Sequence, residues 1–241
     1  MSWFSSWFDS PYYHELYAHR DDTEACAFID TLLEHLAPVK GARMLDLACG
    51  KGRHSRFLAA KGFDVTGLDL AEHSILAARA YENDHLHFFT QDMRRPYAVN
   101  YFDYVFSFFT SFGYFQTEGE HLATLQNVAT NLHPNGVFVM DFMNAARVVR
   151  TLEPNGEKML HGVHYAWKKT VEEGRIIKRI TITDGGAVHH YHEEVRAFTY
   201  PDLERLFIAA GLRITAVYGN YALDPFDEAT SDRLILESRK A

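Results

Sequence analysis

Met44-Leu-Asp46-Leu-Ala48-Cys-Gly50-Lys-Gly52-Arg-His-Ser55 governs how this 241-residue chain is read. It begins as an apolar strand, Arg43–Leu47, and ends as the opening of a helix, Arg53–Lys61, closed by Gly62. An acidic residue and two glycines fall together at the strand-to-helix turn. Glycine lets the backbone approach a ligand closely, and in an open α/β sheet ligands sit beyond the carboxyl ends of the strands. A dinucleotide-binding loop would need a third glycine near position 55 and a pyrophosphate over the helix N-terminus. Position 55 is serine. A Walker loop would need Gly-Lys-Ser/Thr after four spacers, which is also absent. The turn therefore reads as a ligand loop built for close approach, not as a phosphate cradle.

Strands and helices alternate outward from it. Asp64–Leu68 is a second strand, Glu72–Tyr81 a helix, and Leu86–Phe89 and Phe102–Phe109 further strands. A helix over Glu120–Leu132, stopped by His133-Pro134-Asn135-Gly136, precedes a fifth strand, Val137–Asp141. This rhythm predicts a parallel sheet with helices on both faces. Near residue 157 the period changes. Lys158–Val171, Arg175–Thr183 and Val188–Thr199 are rich in β-branched residues, with turn signals at Glu173-Gly174 and Asp184-Gly185-Gly186, and predict an antiparallel meander. A helix from Tyr200 to Gly211 and two strands, Leu212–Tyr218 and Arg233–Ser238, end the chain. Ahead of the first strand, Phe28, Ile29, Leu32, Leu33 and Leu36 keep a helical period behind the Asp21-Asp22-Thr23 N-cap cluster. The aromatic N-terminus reads either as a packing arm or as a lid over a pocket. The resulting plan is a helical lid (1–40), a main α/β unit (41–156 and 200–241) and an inserted antiparallel β subdomain (157–199).

Composition excludes several classes. Apolar residues make up 47% and charged residues 23%, ordinary for a globular protein. With 32 acidic and 24 basic residues the net charge is −8, so a non-specific nucleic-acid binder, which needs a basic footprint, is not expected. No apolar run approaches bilayer-spanning length, no signal peptide is seen, and two cysteines are too few for a disulfide framework. A cytoplasmic protein, monomer or homodimer, is expected.

The quoted stretch resembles motif I of the class I S-adenosylmethionine (SAM) methyltransferases, acidic-x-(Gly/Ala)-x-Gly-x-Gly. Asp46, Ala48, Gly50 and Gly52 fill those positions. The family implies a Rossmann-like seven-stranded sheet with helices on both faces and SAM as cofactor, leaving as S-adenosylhomocysteine. It implies cofactor contacts at Asp69 and Leu70 after the second strand, at Asp92 and Met93 after the third, and at Phe108 in the motif IV strand. Arg20 is a candidate for the SAM carboxylate. Phe109-Thr-Ser111-Phe-Gly113-Tyr114 and the antiparallel insert are similar to small-molecule N-methyltransferases. The resemblance therefore implies transfer to a small-molecule N or O acceptor, mainly by proximity and orientation, with Tyr13, Tyr17, Ser111 and Tyr114 orienting it. An RNA- or protein-modifying methyltransferase, a non-catalytic SAM-binding module and a nicotinamide oxidoreductase remain as alternatives. His54 reads as a helix-face residue. His190, His192, Glu194 and Arg196 share one strand face, and the arginine among them favours a pocket wall or solvated strand over a metal site.

Overall fold

A computed structural model describes residues 3–17 and 22–241. Two short helices, α1 (Trp3–Phe8) and α2 (Pro11–Leu16), precede α3 (Asp22–Leu36). Pro11 takes the first turn of α2, where no N–H is needed, and the Ser10 hydroxyl accepts from Tyr13 N–H. There follow β1 (Arg43–Leu47), α4 (Arg53–Ala60), β2 (Asp64–Asp69), α5 (Glu72–Ala78), β3 (Leu86–Thr90), β4 (Phe102–Ser107), α6 (Glu118–Asn131), β5 (Leu132–Met143) and α7 (Ala145–Arg150). Four strands come next: β6 (Asn155–Leu160), β7 (Val163–Glu172), β8 (Arg175–Asp184) and β9 (Ala187–Arg196). α8 (Tyr200–Ala209), β10 (Leu212–Tyr218) and β11 (Arg233–Lys240) complete the chain.

The main sheet runs β10-β11-β5-β4-β1-β2-β3. β1 to β5 pair in parallel, whereas β11 lies antiparallel to both β5 and β10. The parallel arrangement expected from the alternating strands holds for β1 to β5, and the last strand makes the seven-stranded sheet mixed: the link from β10 to β11 carries no helix among the described residues, so the chain doubles back beside β10. Period-two alternation splits the core across the sheet. Val105, Phe138, Met140 and Phe142 pack with Leu125 and Val128 of α6 and Leu203, Leu206 and Phe207 of α8. Phe106, Val137 and Val139 pack with Phe28 and Leu32 of α3, Leu58 of α4 and Ile75 of α5. Strand order reverses between β1 and β4, so a crevice opens beyond their carboxyl ends.

The second sheet is antiparallel, in order β6-β7-β8-β9. The predicted single strand 158–171 is two strands. His161 and Gly162 both take left-handed φ, 44° and 88°, the signature of a tight hairpin. Trp7 and Leu16 from the N-terminal helices close a small core on Tyr165, Ile180 and Ile182 of this sheet. α6 starts two residues earlier than predicted, because Thr117 and Glu120 form a capping box. β5 extends back to Leu132, with residues 133–136 bulging out between the Phe102–Leu132 and Tyr104–Val137 pairs.

Candidate active site

The turn after β1 is left-handed at alternate residues: Ala48, Gly50 and Gly52 have φ of 57°, 56° and 76°. Cys49 N–H donates to the Leu68 carbonyl, tying the turn to β2. At the end of β2 the Asp69 carboxylate accepts from Gly50 N–H (2.8 Å) and Ala71 N–H (2.7 Å), so it holds both loops and keeps lone pairs for a ligand. Burial raises its pKa, and these backbone bonds pull the other way. Beneath the turn, Asp46 is buried and accepts a 2.6 Å hydrogen bond from Ser55 Oγ. The serine that stands where a dinucleotide loop has glycine thus caps the motif's own acid.

The other side comes from β4 and β5. Phe109 and Thr110 are left-handed in succession, φ 54° and 60°. Asp141, fully buried on β5, accepts from Phe109 N–H through its carboxylate and from Thr110 N–H through its carbonyl, each at 2.9 Å. Arg233 Nε (2.7 Å) and Tyr221 OH (3.2 Å) donate to the same carboxylate.

Between these walls lies a cavity of about 420 Å³, the size of a small-ligand site. Ala48, Gly50, Asp69, Leu70, Asp92, Met93 and Phe108 line it, as do Tyr13, Tyr17, Ser111 and Tyr114. Asp46 and Gly52 do not: one sits under the loop, the other packs on Phe88. Arg20 lies outside the described residues. Asp92 is held by Arg94, which donates from Nη2 at 2.7 Å and in turn reaches Glu120. Burial opposes its charge, but the Arg94 hydrogen bonds outweigh it, leaving the carboxyl below its ordinary value. Ser111 Oγ donates to the Phe108 carbonyl at 2.8 Å.

Sequence reasoning missed part of the wall. Phe4, Phe8, His14 and Glu193 reach the cavity. His54, read as a helix-face residue, lines it too, stacked on Phe109 with ring centroids 5.3 Å apart. In the histidine-rich strand β9, the face carrying His190, His192, Glu194 and Arg196 does not line the cavity. The opposite face, carrying Glu193, is the one turned to the cavity.

Burial drops the pKa of His14 to about 4 and of His54 to about 3, helped by Lys51 and Arg53 respectively, and lifts that of Asp46 to about 7. The signs oppose. Between pH 6.5 and 4 the unfolded chain protonates both histidines and the folded chain does not, so they cost stability as pH falls. Asp46 stays protonated when folded up to about pH 7, so its term is full below the ordinary carboxylate value and is lost as pH rises toward 7. Asp46→Asn, which still accepts from Ser55, removes only the second term. Urea midpoints for the variant are expected to fall more steeply than wild type between pH 7 and 5. Parallel profiles would refute this.

A loop with left-handed turns, open space where a Gly50 Cβ would stand, and acids after β2 and β3 suit a ligand with hydroxyl and amino donors and no phosphate. SAM has that character, with its ribose diol, its amines and its sulfonium. Comparisons with known proteins agree. The methyltransferase domain family matches residues 44–136. YqeM of Bacillus subtilis, whose name goes no further than methyltransferase, is 28% identical over 239 residues, 95% of this chain and 94% of that one. The dTDP-3-amino-3,4,6-trideoxy-alpha-D-glucopyranose N,N-dimethyltransferase of Streptomyces venezuelae is 31% identical over 197 residues, 75% of this chain and 79% of that one. A crystal structure of an S-adenosylmethionine-dependent methyltransferase from Clostridium acetobutylicum shares the fold, with a TM-score of 0.80 at 20% identity and 95% of each chain covered.

Proposed function

We propose that this chain, which belongs to the class I SAM-dependent methyltransferase family, methylates the amine of a small molecule. As a member of that family it is an enzyme that takes its methyl group from SAM and leaves S-adenosylhomocysteine. One observation carries the small-molecule reading: the cavity is walled by Phe4, Phe8, Tyr13, Tyr17, Tyr114 and Phe115, and by Glu193 of the second sheet, besides the glycine loop. An aromatic-lined cavity of this size suits a small acceptor better than a nucleic acid or a folded protein, and the net charge of −8 also counts against RNA. The sugar-amine methylation named for the Streptomyces relative supports nitrogen as the acceptor atom.

The cofactor supplies a methyl group on a positively charged sulfur, ready for in-line attack without a covalent enzyme nucleophile. The chain's part is positional. Asp69 and Asp92 hold donors at the cofactor end, while Tyr13, Tyr17, Ser111 and Tyr114 orient the acceptor. Such alignment removes about 7–11 kcal/mol of barrier, and aromatic faces favour the cationic centre. Of the 1–40 segment expected as a lid, α1 and α2 serve as one, while α3 packs in the main core: Trp7 Nε1 donates to Glu193, Tyr12 OH donates to Asp184, and Asp9 pairs with His73 at the start of α5. Cys26 and Cys49 form no disulfide, which suits the reducing cytoplasm, where the enzyme works as a monomer or homodimer.

Calorimetric titration tests the cofactor half. S-adenosylhomocysteine is expected to bind wild type and to bind Asp69→Ala about 10- to 100-fold more weakly, the loss of hydrogen bonds to a charged group. Binding of NADH instead, or equal affinity in the variant, would sink the assignment.

A further inference from the structure

Among the described residues, three carboxylates line the cavity: Asp69, Asp92 and Glu193. The first two follow β2 and β3 and are engaged at the cofactor end, Asp69 by backbone N–H groups and Asp92 by Arg94. Glu193 reaches the cavity from β9 of the second sheet. Its side chain keeps 19% exposure, and its contacts are unusual in kind. Trp7 Nε1 donates to Oε1 at 2.9 Å, and Tyr17 OH donates to Oε1 at 2.7 Å and Oε2 at 2.9 Å. Both donors are neutral, so they orient the carboxylate without cancelling its charge. Lys178, directly opposite Glu193 across β8 and β9, gives its 2.7 Å hydrogen bond to Tyr17 OH and makes a long ion pair, 4.0 Å, with Glu193 Oε2. The Lys178 ammonium also lies 4.8 Å from the ring centroids of Tyr17 and Trp167, so this corner already houses an alkylammonium against aromatic faces.

We propose that Glu193 is the acceptor-binding residue that selects an amine: it takes a hydrogen bond from the acceptor's N–H at Oε2 while the tyrosine rings flank the nitrogen. This rests on the small-molecule reading above and narrows it to acceptors that are cationic before reaction, such as primary and secondary alkylamines. A hydroxyl of the same shape gives the carboxylate a neutral donor only, and an acidic acceptor is repelled. A hydrogen bond to the carboxylate is charge-assisted from either donor, but only the ammonium adds the Coulomb attraction of opposite charges, and that difference is the basis of selection. The bound ammonium first gives up one N–H proton to solvent, freeing the lone pair that forms the N–C bond as the C–S bond breaks with its electron pair going to sulfur. Glu193 holds the nitrogen and is not consumed.

The test uses the full chain saturated with S-adenosylhomocysteine, titrated with benzylammonium chloride and with benzyl alcohol at constant ionic strength, following tryptophan fluorescence. Wild type is expected to bind the cation at least fivefold more tightly than the alcohol. In Glu193→Gln that ratio is expected to fall to near one, while S-adenosylhomocysteine affinity stays within twofold. Trp7→Phe removes a tether of the lid and leaves the carboxylate in place; it is expected to keep the cation preference, followed there by calorimetry. A preference that survives in Glu193→Gln, a preference lost equally in Trp7→Phe, or no cation preference in wild type overturns the proposal. Failure of wild type to bind S-adenosylhomocysteine would instead overturn the cofactor assignment beneath it.

Discussion

Gly52→Ala is expected to lower the melting temperature by about 5–15 °C and to abolish S-adenosylhomocysteine binding at concentrations that saturate wild type. Two independent costs meet at this position. Its φ of 76° lies in the left-handed region, which costs a non-glycine residue roughly 1–2 kcal/mol. A Cβ there would also stand 2.4 Å from Phe88 Cζ, deep inside contact distance. The same edge of the ring also lies against Gly67, where an added Cβ would lie 2.6 Å from Phe88 Cδ1, so the ring is seated on both glycines. Phe88 is fully buried in the core between α5 and the sheet. Overpacking of this kind costs typically 1–3 kcal/mol, so the total is about 2–5 kcal/mol. Gly50→Ala is the control. Its φ of 56° carries the same backbone cost, but nothing lies within 4 Å of the added methyl. It is expected to lose stability by the backbone share alone. Differential scanning calorimetry of both variants decides the matter. A Gly52→Ala protein that melts within 2 °C of wild type would mean the two glycines do not separate packing from ligand approach.

That separation shows what a sequence can and cannot carry. Asp46, Gly50 and Gly52 are recognisable together because a strand end, a close backbone approach and a helix start impose their residue types within seven positions. Their division of labour was not legible. Asp46 and Gly52 support the turn from below and from the core side, and only the packing of Ser55 and Phe88 reveals it. The alternation of strands and helices gave the order of the main sheet's elements but not the reversal at β11, since direction depends on where the chain returns and not on the strand's own residues. Glu193 was hidden for a similar reason. Period two divides β9 into two faces, and neither composition nor spacing says which face meets the N-terminal helices. Trp7, Tyr12 and Tyr17 decide that by packing on Tyr191, His189 and Glu193. Pairing across 172 residues or more, as in Tyr12–Asp184 and Tyr17–Glu193, leaves no local signature.

Asp141→Ala is expected to be the most damaging substitution, costing about 3–5 kcal/mol, the penalty for leaving a buried charge without its partner. The stranded charge is Arg233, whose side chain is 19% exposed and whose Nη2 lies 2.6 Å from Asp141 Oδ1. Loss of the carboxylate has a second consequence. Phe109 and Thr110 occupy the left-handed region in succession, and for a β-branched residue such as Thr110 that conformation is a strained outlier. The turn persists because Asp141 accepts from Phe109 N–H and Arg233 donates to Thr110 Oγ1 at 3.1 Å. Without them it relaxes, and the cavity wall formed by Phe108, Phe109 and Ser111 goes with it. Structural and functional losses can be told apart. Asp141→Asn keeps the volume and one acceptor oxygen but turns an amide donor toward groups that are themselves donors, so it is expected to lose about 2–4 kcal/mol, with S-adenosylhomocysteine affinity down tenfold or more. Adding Thr110→Gly removes the strain at one of the two left-handed positions. It is expected to restore stability by about 1 kcal/mol, the usual gain from relieving a left-handed non-glycine residue, without restoring affinity. Urea denaturation and calorimetry on the three variants give both readings. Asp141→Ala within 1 kcal/mol of wild type would show that neither the Arg233 charge nor the strained turn depends on this carboxylate, and that the far wall of the cavity is held by packing alone.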